Sequence, residues 1–172
     1  MRLLFAILAC SFLFARVGLS EDRPIAIAWI FTAVDCPIAN GYSPELNRIY
    51  NEFSSAGIHF TLVYPEPSLT ETQIKAHLAE YDLKFDYFHD RTHQRVSSSG
   101  ASVTPEVAVY SRSGQLVYRG RIDNRYTEYG DRRNSATETY LRDVLGLLLS
   151  GAEVEFSETE PIGCFIETLE KK

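Results

Sequence analysis

Phe31-Thr32-Ala33-Val34-Asp35-Cys36-Pro37-Ile38-Ala39-Asn40 is an apolar run that stops at a cysteine, with a proline directly after it and a helical pattern beyond. The residues leading into it, Ile25 to Thr32, are apolar and β-branched enough for a buried strand. Pro37 suits the first position of a helix, where its missing N–H would have had no partner. Cys36 therefore falls at a strand-to-helix turn. At a helix N-terminus, unpaired backbone N–H groups and the positive end of the helix dipole favour thiolate over thiol, and the thiolate is the form that attacks disulfides and peroxides. Cys36 is the candidate nucleophile. Asp35 beside it either opposes the thiolate by like charge or accepts its proton.

Beyond this turn the elements alternate. Pro44 to Ser55 carries Leu46, Ile49, Tyr50 and Phe53 at helical spacing and is closed by Gly57. Ile58 to Tyr64 reads as a second strand, Pro65-Glu66-Pro67 as a loop, and Thr70 to Tyr81 as a helix with Ser68 or Thr70 as its cap. Ile74, His77, Leu78 and Tyr81 share one side of that helix. After Phe85 to Phe88 and a short polar helix around Thr92 to Ser97, the strands Glu106 to Ser111 and Leu116 to Arg121 flank the turn Arg112-Ser113-Gly114. Thr137 to Leu149 is the closing helix, ended by Ser150-Gly151. The predicted class is α/β: a central mixed sheet, parallel early and antiparallel late, with helices on both faces.

Residues 1–20 read as an export signal, with Arg2, an apolar stretch from Leu3 to Ala15 that is too short to span a bilayer, and small residues near Gly18-Leu19-Ser20. Ile7-Leu8-Ala9-Cys10 is a faint lipoprotein cleavage box. The expected location is therefore periplasmic or extracellular, with no stable membrane insertion after the signal is removed. Of three cysteines, its loss leaves Cys36 and Cys164, an even pair in a compartment that permits disulfides. The remaining chain of about 150 residues is the size of one domain, assigned to 21–150, followed by a tail over 151–172 that carries Cys164. The formal charge of −6 becomes −8 when Arg2 and Arg16 go with the signal, which disfavours nucleic acid or an anionic membrane as partner.

Three segments in order resemble the thioredoxin-like superfamily, most nearly its redoxin branch of alkyl hydroperoxide reductases and thiol-specific antioxidant (peroxiredoxin-like) proteins. Phe31 to Cys36 sits as the strand-to-helix thiol segment of thioredoxins does. Val103-Thr104-Pro105 precedes a strand as their cis-proline does, and Ser111 to Val117 resembles their final hairpin. The resemblance covers residues 24–150. It implies a thioredoxin-like fold with the thiol and the Thr104-Pro105 loop side by side at one edge of the sheet. Two departures bear on chemistry. Cys36-Pro37-Ile38-Ala39 has alanine where the second cysteine of C-x-x-C belongs, so no disulfide can form within the motif. Thr32 lies four residues before Cys36, whereas peroxiredoxins place a threonine three before the peroxidatic cysteine.

Cys164, in Glu160-Pro161-Ile162-Gly163-Cys164-Phe165-Ile166, resembles the C-terminal resolving cysteine of two-cysteine peroxiredoxins. The resulting expectation is an exported thiol-disulfide oxidoreductase or peroxiredoxin-like antioxidant protein. Cys36 attacks, Cys164 resolves, and Thr104-Pro105 aligns the incoming sulfur or backbone. An external thiol reductant or a protein disulfide is the partner, and neither cofactor nor metal is required. Two alternatives stay open. A permanent Cys36–Cys164 bridge would make this a structural or binding domain. A thiol pair with His89 or His93 would make it a copper-binding protein, as in carriers of the same fold. Arg119 and Arg121 share one face of a strand, either as a solvated face or as a cation for Cys36 or an anion. The polar stretch Tyr126 to Arg133 is a surface loop or a lid over the thiol edge, and Trp29 fills the core or its rim.

Overall fold

The computed structural model describes residues 23–128 and 131–169. The export signal predicted over residues 1–20, Cys10 included, lies outside these residues. Three strands run parallel: β1 (Ala26–Phe31), β2 (Ile58–Tyr64) and β3 (Asp86–His89). On the other side of β1, β5 (Glu106–Ser111) and β6 (Leu116–Gly120) add antiparallel, giving the order β3-β2-β1-β5-β6. The mixed sheet is as the sequence predicts. Its sixth strand is not. β9 (Ser157–Glu158), in the tail, pairs parallel with β6, so the tail is partly an edge of the sheet.

The pleat divides the strands between two clusters. Ala28, Ile30, Phe60, Leu62, Val107 and Val109 face a large core. It is filled by Leu46, Ile49 and Phe53 from α2 (Ser43–Phe53), Ile74 from α3 (Glu71–Glu80) and Leu141, Val144, Leu145 and Leu148 from α5 (Tyr140–Leu149). Each fully buried leucine or isoleucine contributes about 1.5–3 kcal/mol. Phe31, Val63 and Ala108 face the opposite side, where Val96 of α4 (Gln94–Ser99) packs. Trp29 is a rim residue there, with Tyr110 at 4.6 Å between ring centroids and the Arg95 guanidinium 4.7 Å above it.

Several boundaries move for local reasons. The closing helix begins at Tyr140 rather than Thr137, because the N–H groups of Thr137 and Glu138 donate to Asn124 Oδ1 instead of entering a helix. The short polar helix begins at Gln94, set by the buried Asp90 carboxylate, which accepts from the N–H groups of Gln94, Arg95 and Val96. The helix after Cys36 is two pieces, α1 (Pro37–Gly41) and α2, with Tyr42 at the junction. α3 is capped by Thr70 with Gln73 in a reciprocal capping box. α5 is held to α2 by Arg142 Nε, which donates to Glu45 Oε1 at 2.9 Å. Burial pushes the Glu45 carboxyl up, but its bonds from Arg142 and Arg48 outweigh this and hold it below the usual range.

Candidate functional site

Cys36 is the N-cap of α1, with extended backbone and Pro37 at the first helical position. Its sulfur is 3.5 Å from the N–H of Ala39, which donates to it, and the S–H donates to the Thr104 carbonyl at 3.0 Å. The Thr104-Pro105 bond is cis, and Thr104 and Pro105 are buried beside the thiol. Cys164 Sγ lies 2.7 Å from Cys36 Sγ, although 128 positions separate the two in sequence. It arrives there because β10 (Cys164–Phe165) pairs antiparallel with β4 (Val103–Thr104), putting Cys164 directly opposite Thr104. Under this cover Cys36 is 1% exposed. Asp35 is exposed and is not a hydrogen-bond partner of the Cys36 sulfur. The structure thus brings Cys36, Thr104, Pro105 and Cys164 together and leaves Asp35 at the rim.

Beside the thiols runs a groove of about 600 Å³. Val34, Asp35 and Pro37 lie in one wall and Pro65 to Leu69 in another, and His93, Thr104 and the tail from Cys164 are among the remaining lining residues. His89 Nε2 and His93 Nε2 hold the second wall through the carbonyls of Glu66 and Pro65, at 2.9 and 2.8 Å. Both histidines thus have a structural task, and among the described residues no group of three His, Cys, Asp or Glu is gathered as metal ligands. A larger cavity of about 840 Å³ lies between the β5–β6 turn and the end of α5, lined by residues such as Ile25, Leu116 and Phe156. It does not contain either cysteine.

Neither candidate arginine serves the thiol. Arg119 faces Glu106, Glu158 and the carbonyls of Ser99 and Gly100, and Arg121 Nε donates to the Glu160 carbonyl. The strand ends at Gly120, so the alternation that would have aligned them is broken. In the stretch from Tyr126, β7 (Tyr126–Glu128) and β8 (Asp131–Arg132) pair antiparallel, and Tyr126 packs against the Tyr42 ring at 5.1 Å. Tyr42 in turn donates to the buried Asp123 at 2.6 Å. Burial, then the Asp123 partner, pushes the Tyr42 phenol well up.

Three residues that sequence reasoning passed over support this site. Glu106, 1% exposed, accepts the N–H groups of Ser102 and Val103 at 2.7 and 3.2 Å and so orders the loop leading to Thr104-Pro105. Its signal was an acidic residue opening an apolar strand. His77, assigned no role, bonds Asn40 in α1. Gly163 lies so close to Thr104 that a Cβ would stand 2.2 Å from its carbonyl oxygen. The signal for that was a glycine directly before the cysteine.

No family model and no curated protein matches this chain. Among solved structures it is similar to an uncharacterized conserved protein from Geobacillus kaustophilus, at 24% identity and TM-score 0.73, over 87% of this chain and 80% of that one. A hypothetical protein from Sinorhizobium meliloti is similar at 23% identity and TM-score 0.71, over 83% and 79%. A thioredoxin-like protein, solved in its oxidized form, is similar at 18% identity and TM-score 0.56, over 76% and 81%. The fold of this chain is thioredoxin-like, with a central mixed sheet flanked by helices.

Proposed function

We propose that this chain is a thiol-disulfide oxidoreductase in which Cys36 is the nucleophile and Cys164 the resolving partner. The observation that carries the reading is the 2.7 Å approach of the two sulfurs at the N-terminus of α1, beside Thr104-Pro105. Cys36 attacks a sulfur of the substrate disulfide, and the released sulfur departs as a thiolate. Cys164 then attacks the mixed disulfide at Cys36, which frees the reduced substrate and leaves a Cys36–Cys164 bond. An external thiol restores the reduced pair. Thr104-Pro105 aligns the substrate, and Asp35 sets the charge at the rim. Neither metal nor cofactor enters these steps. Export by residues 1–20 belongs to the same reading, as an oxidising compartment suits the pair. No helix among the described residues is long and apolar enough to cross a membrane.

Peroxide is the other oxidant class within this proposal, in the manner of the peroxiredoxin-like branch. Cys164→Ser is the test for both. With a model disulfide it should trap one mixed disulfide on Cys36, and with peroxide one sulfenic acid, while multiple turnover collapses. Reaction at neither centre would remove the enzyme reading. The 1% exposure of Cys36 supports a second reading, a permanent bridge that braces the tail. In that case Cys36→Ser and Cys164→Ser should lower the melting temperature alike, and the wild type should react with no thiol substrate.

A further inference from the structure

The end of the tail lies on the thiol loop as a bound peptide would. Cys164 stands opposite Thr104 and Phe165 opposite Val103 in antiparallel register, and the Ile166 N–H extends the ladder to the Ser102 carbonyl at 2.9 Å. Side chains alternate along this strand as the pleat requires. Cys164 meets Cys36, Phe165 is 87% exposed, and Ile166 packs on the cluster of Phe31, Val63, Ala101 and Ala108. One residue upstream, the Thr104 carbonyl leaves no room for a Cβ, so position 163 accepts glycine alone. The pairing with β4 is only two residues long. Firmer anchorage lies upstream, where the Thr159 hydroxyl bonds Tyr118 and the Arg121 N–H.

We propose that the β4 edge is a binding site for an extended segment of another protein that reads Gly-Cys-x-aliphatic, and that residues 163–166 are a resident copy of that ligand. The proposal rests on the thiol-exchange reading of Cys36. Main-chain bonds to Ser102 and the β4 residues hold any extended chain, and the alternate side chains give selectivity. Glycine is required by the Thr104 carbonyl, cysteine by Cys36, the third position is free, and the fourth must be apolar. In the exchange, the partner's thiolate attacks Cys36 Sγ of the Cys36–Cys164 disulfide. The partner–Cys36 bond forms, the Cys36–Cys164 bond breaks, and Cys164 leaves with the electron pair and takes a proton from solvent. The partner sulfur is oxidised, Cys164 is reduced, and no outside oxidant is consumed. The tail's two-residue pairing gives up β4 before this attack, and the partner strand takes its place there.

The test uses the full chain carrying Cys164→Ser, so that Cys36 reacts once. Its probes are peptides of sequence Glu-Pro-Ile-Gly-Cys-Phe-Ile-Glu whose cysteine is activated as the 5-thio-2-nitrobenzoate disulfide. Three further peptides replace the glycine by alanine, the phenylalanine by serine, or the second isoleucine by glutamate, and release of the coloured thiol gives each rate. The parent and the serine peptide should agree within about twofold, and the alanine and glutamate peptides should be at least about tenfold slower. Adding Gly163→Ala to the protein, which pushes the resident tail off β4, should raise the parent peptide's rate by about threefold or more. Equal rates for all four peptides, with Cys36 reacting normally with the small reagent 5,5′-dithiobis(2-nitrobenzoate), would overturn this proposal alone. If Cys36 reacts with the small reagent in neither variant, the thiol-exchange reading falls and this proposal with it.

Discussion

His77 Nε2 lies 2.8 Å from Asn40 Oδ1, and through that bond α3 holds the short helix that begins at Cys36. Asn40 Nδ2 donates to the Val34 carbonyl at 3.0 Å, which turns Oδ1 toward the imidazole. Nε2 must therefore carry the proton, leaving Nδ1 to accept from the Tyr64 hydroxyl at 2.8 Å. Burial pushes the imidazole below its ordinary value near 6.5. Burial likewise pushes the Tyr64 phenol up, so both partners are neutral.

A pH dependence follows from this network. Between the depressed value of folded His77 and about 6.5, the unfolded chain binds more protons than the folded one, so stability is full above about 6.5 and falls as pH drops. The slope attributable to His77 runs toward greater stability as pH rises through that window, with about 1.36 kcal/mol per pH unit, the limit for one proton, as its ceiling. Urea unfolding of the wild type and of His77→Gln at pH values from neutral to mildly acidic checks this through the difference between the two. Parallel curves would show that His77 does not contribute.

Glu106 should be required for the loop rather than for chemistry. Glu106→Ala removes the acceptor of the Ser102 and Val103 N–H groups, and leaving the buried Val103 N–H unpaired costs about 1–3 kcal/mol. Denaturant unfolding should register that loss, and Glu106→Gln, which keeps an acceptor oxygen, should recover part of it. Full stability in Glu106→Ala would contradict the assignment.

Asp35 should act through charge alone. The polar partners of the Cys36 sulfur are the Thr104 carbonyl, the Ala39 N–H and Cys164, and the Asp35 carboxylate is exposed nearby. Asp35→Asn in the Cys164→Ser background should therefore speed alkylation of Cys36, and the gain should shrink in high salt as like-charge repulsion is screened. Slower alkylation would instead identify Asp35 as a proton acceptor.

The periodicity of apolar residues carried most of the fold. Leu46, Ile49 and Phe53 lie in α2 and enter the core, Thr70 caps α3, and the β5–β6 turn falls at Arg112-Ser113-Gly114. The cysteine before a proline led to Cys36 at a helix cap, and Thr104-Pro105 stands beside it. What stayed hidden depends on long-range pairing. Two-residue strands such as β4, β9 and β10 leave no periodicity to read, so the tail appears in sequence only as a connector. Contacts such as His77 with Asn40 join residues 37 positions apart and leave no local trace. The Arg119 and Arg121 pairing failed because the strand stops between them.

The most direct test of Cys36 and Cys164 as a working couple is their reduction potential, measured on the purified protein equilibrated in glutathione or dithiothreitol redox buffers. Closing so long a loop stabilises the fold by about 5 kcal/mol in the chain-entropy model, so bracing alone would drive the couple strongly toward the disulfide. A value between about −120 and −270 mV, the range of catalytic dithiols, is the expected result. A value below about −300 mV, where structural disulfides lie, would contradict catalysis and leave the bridge as a brace.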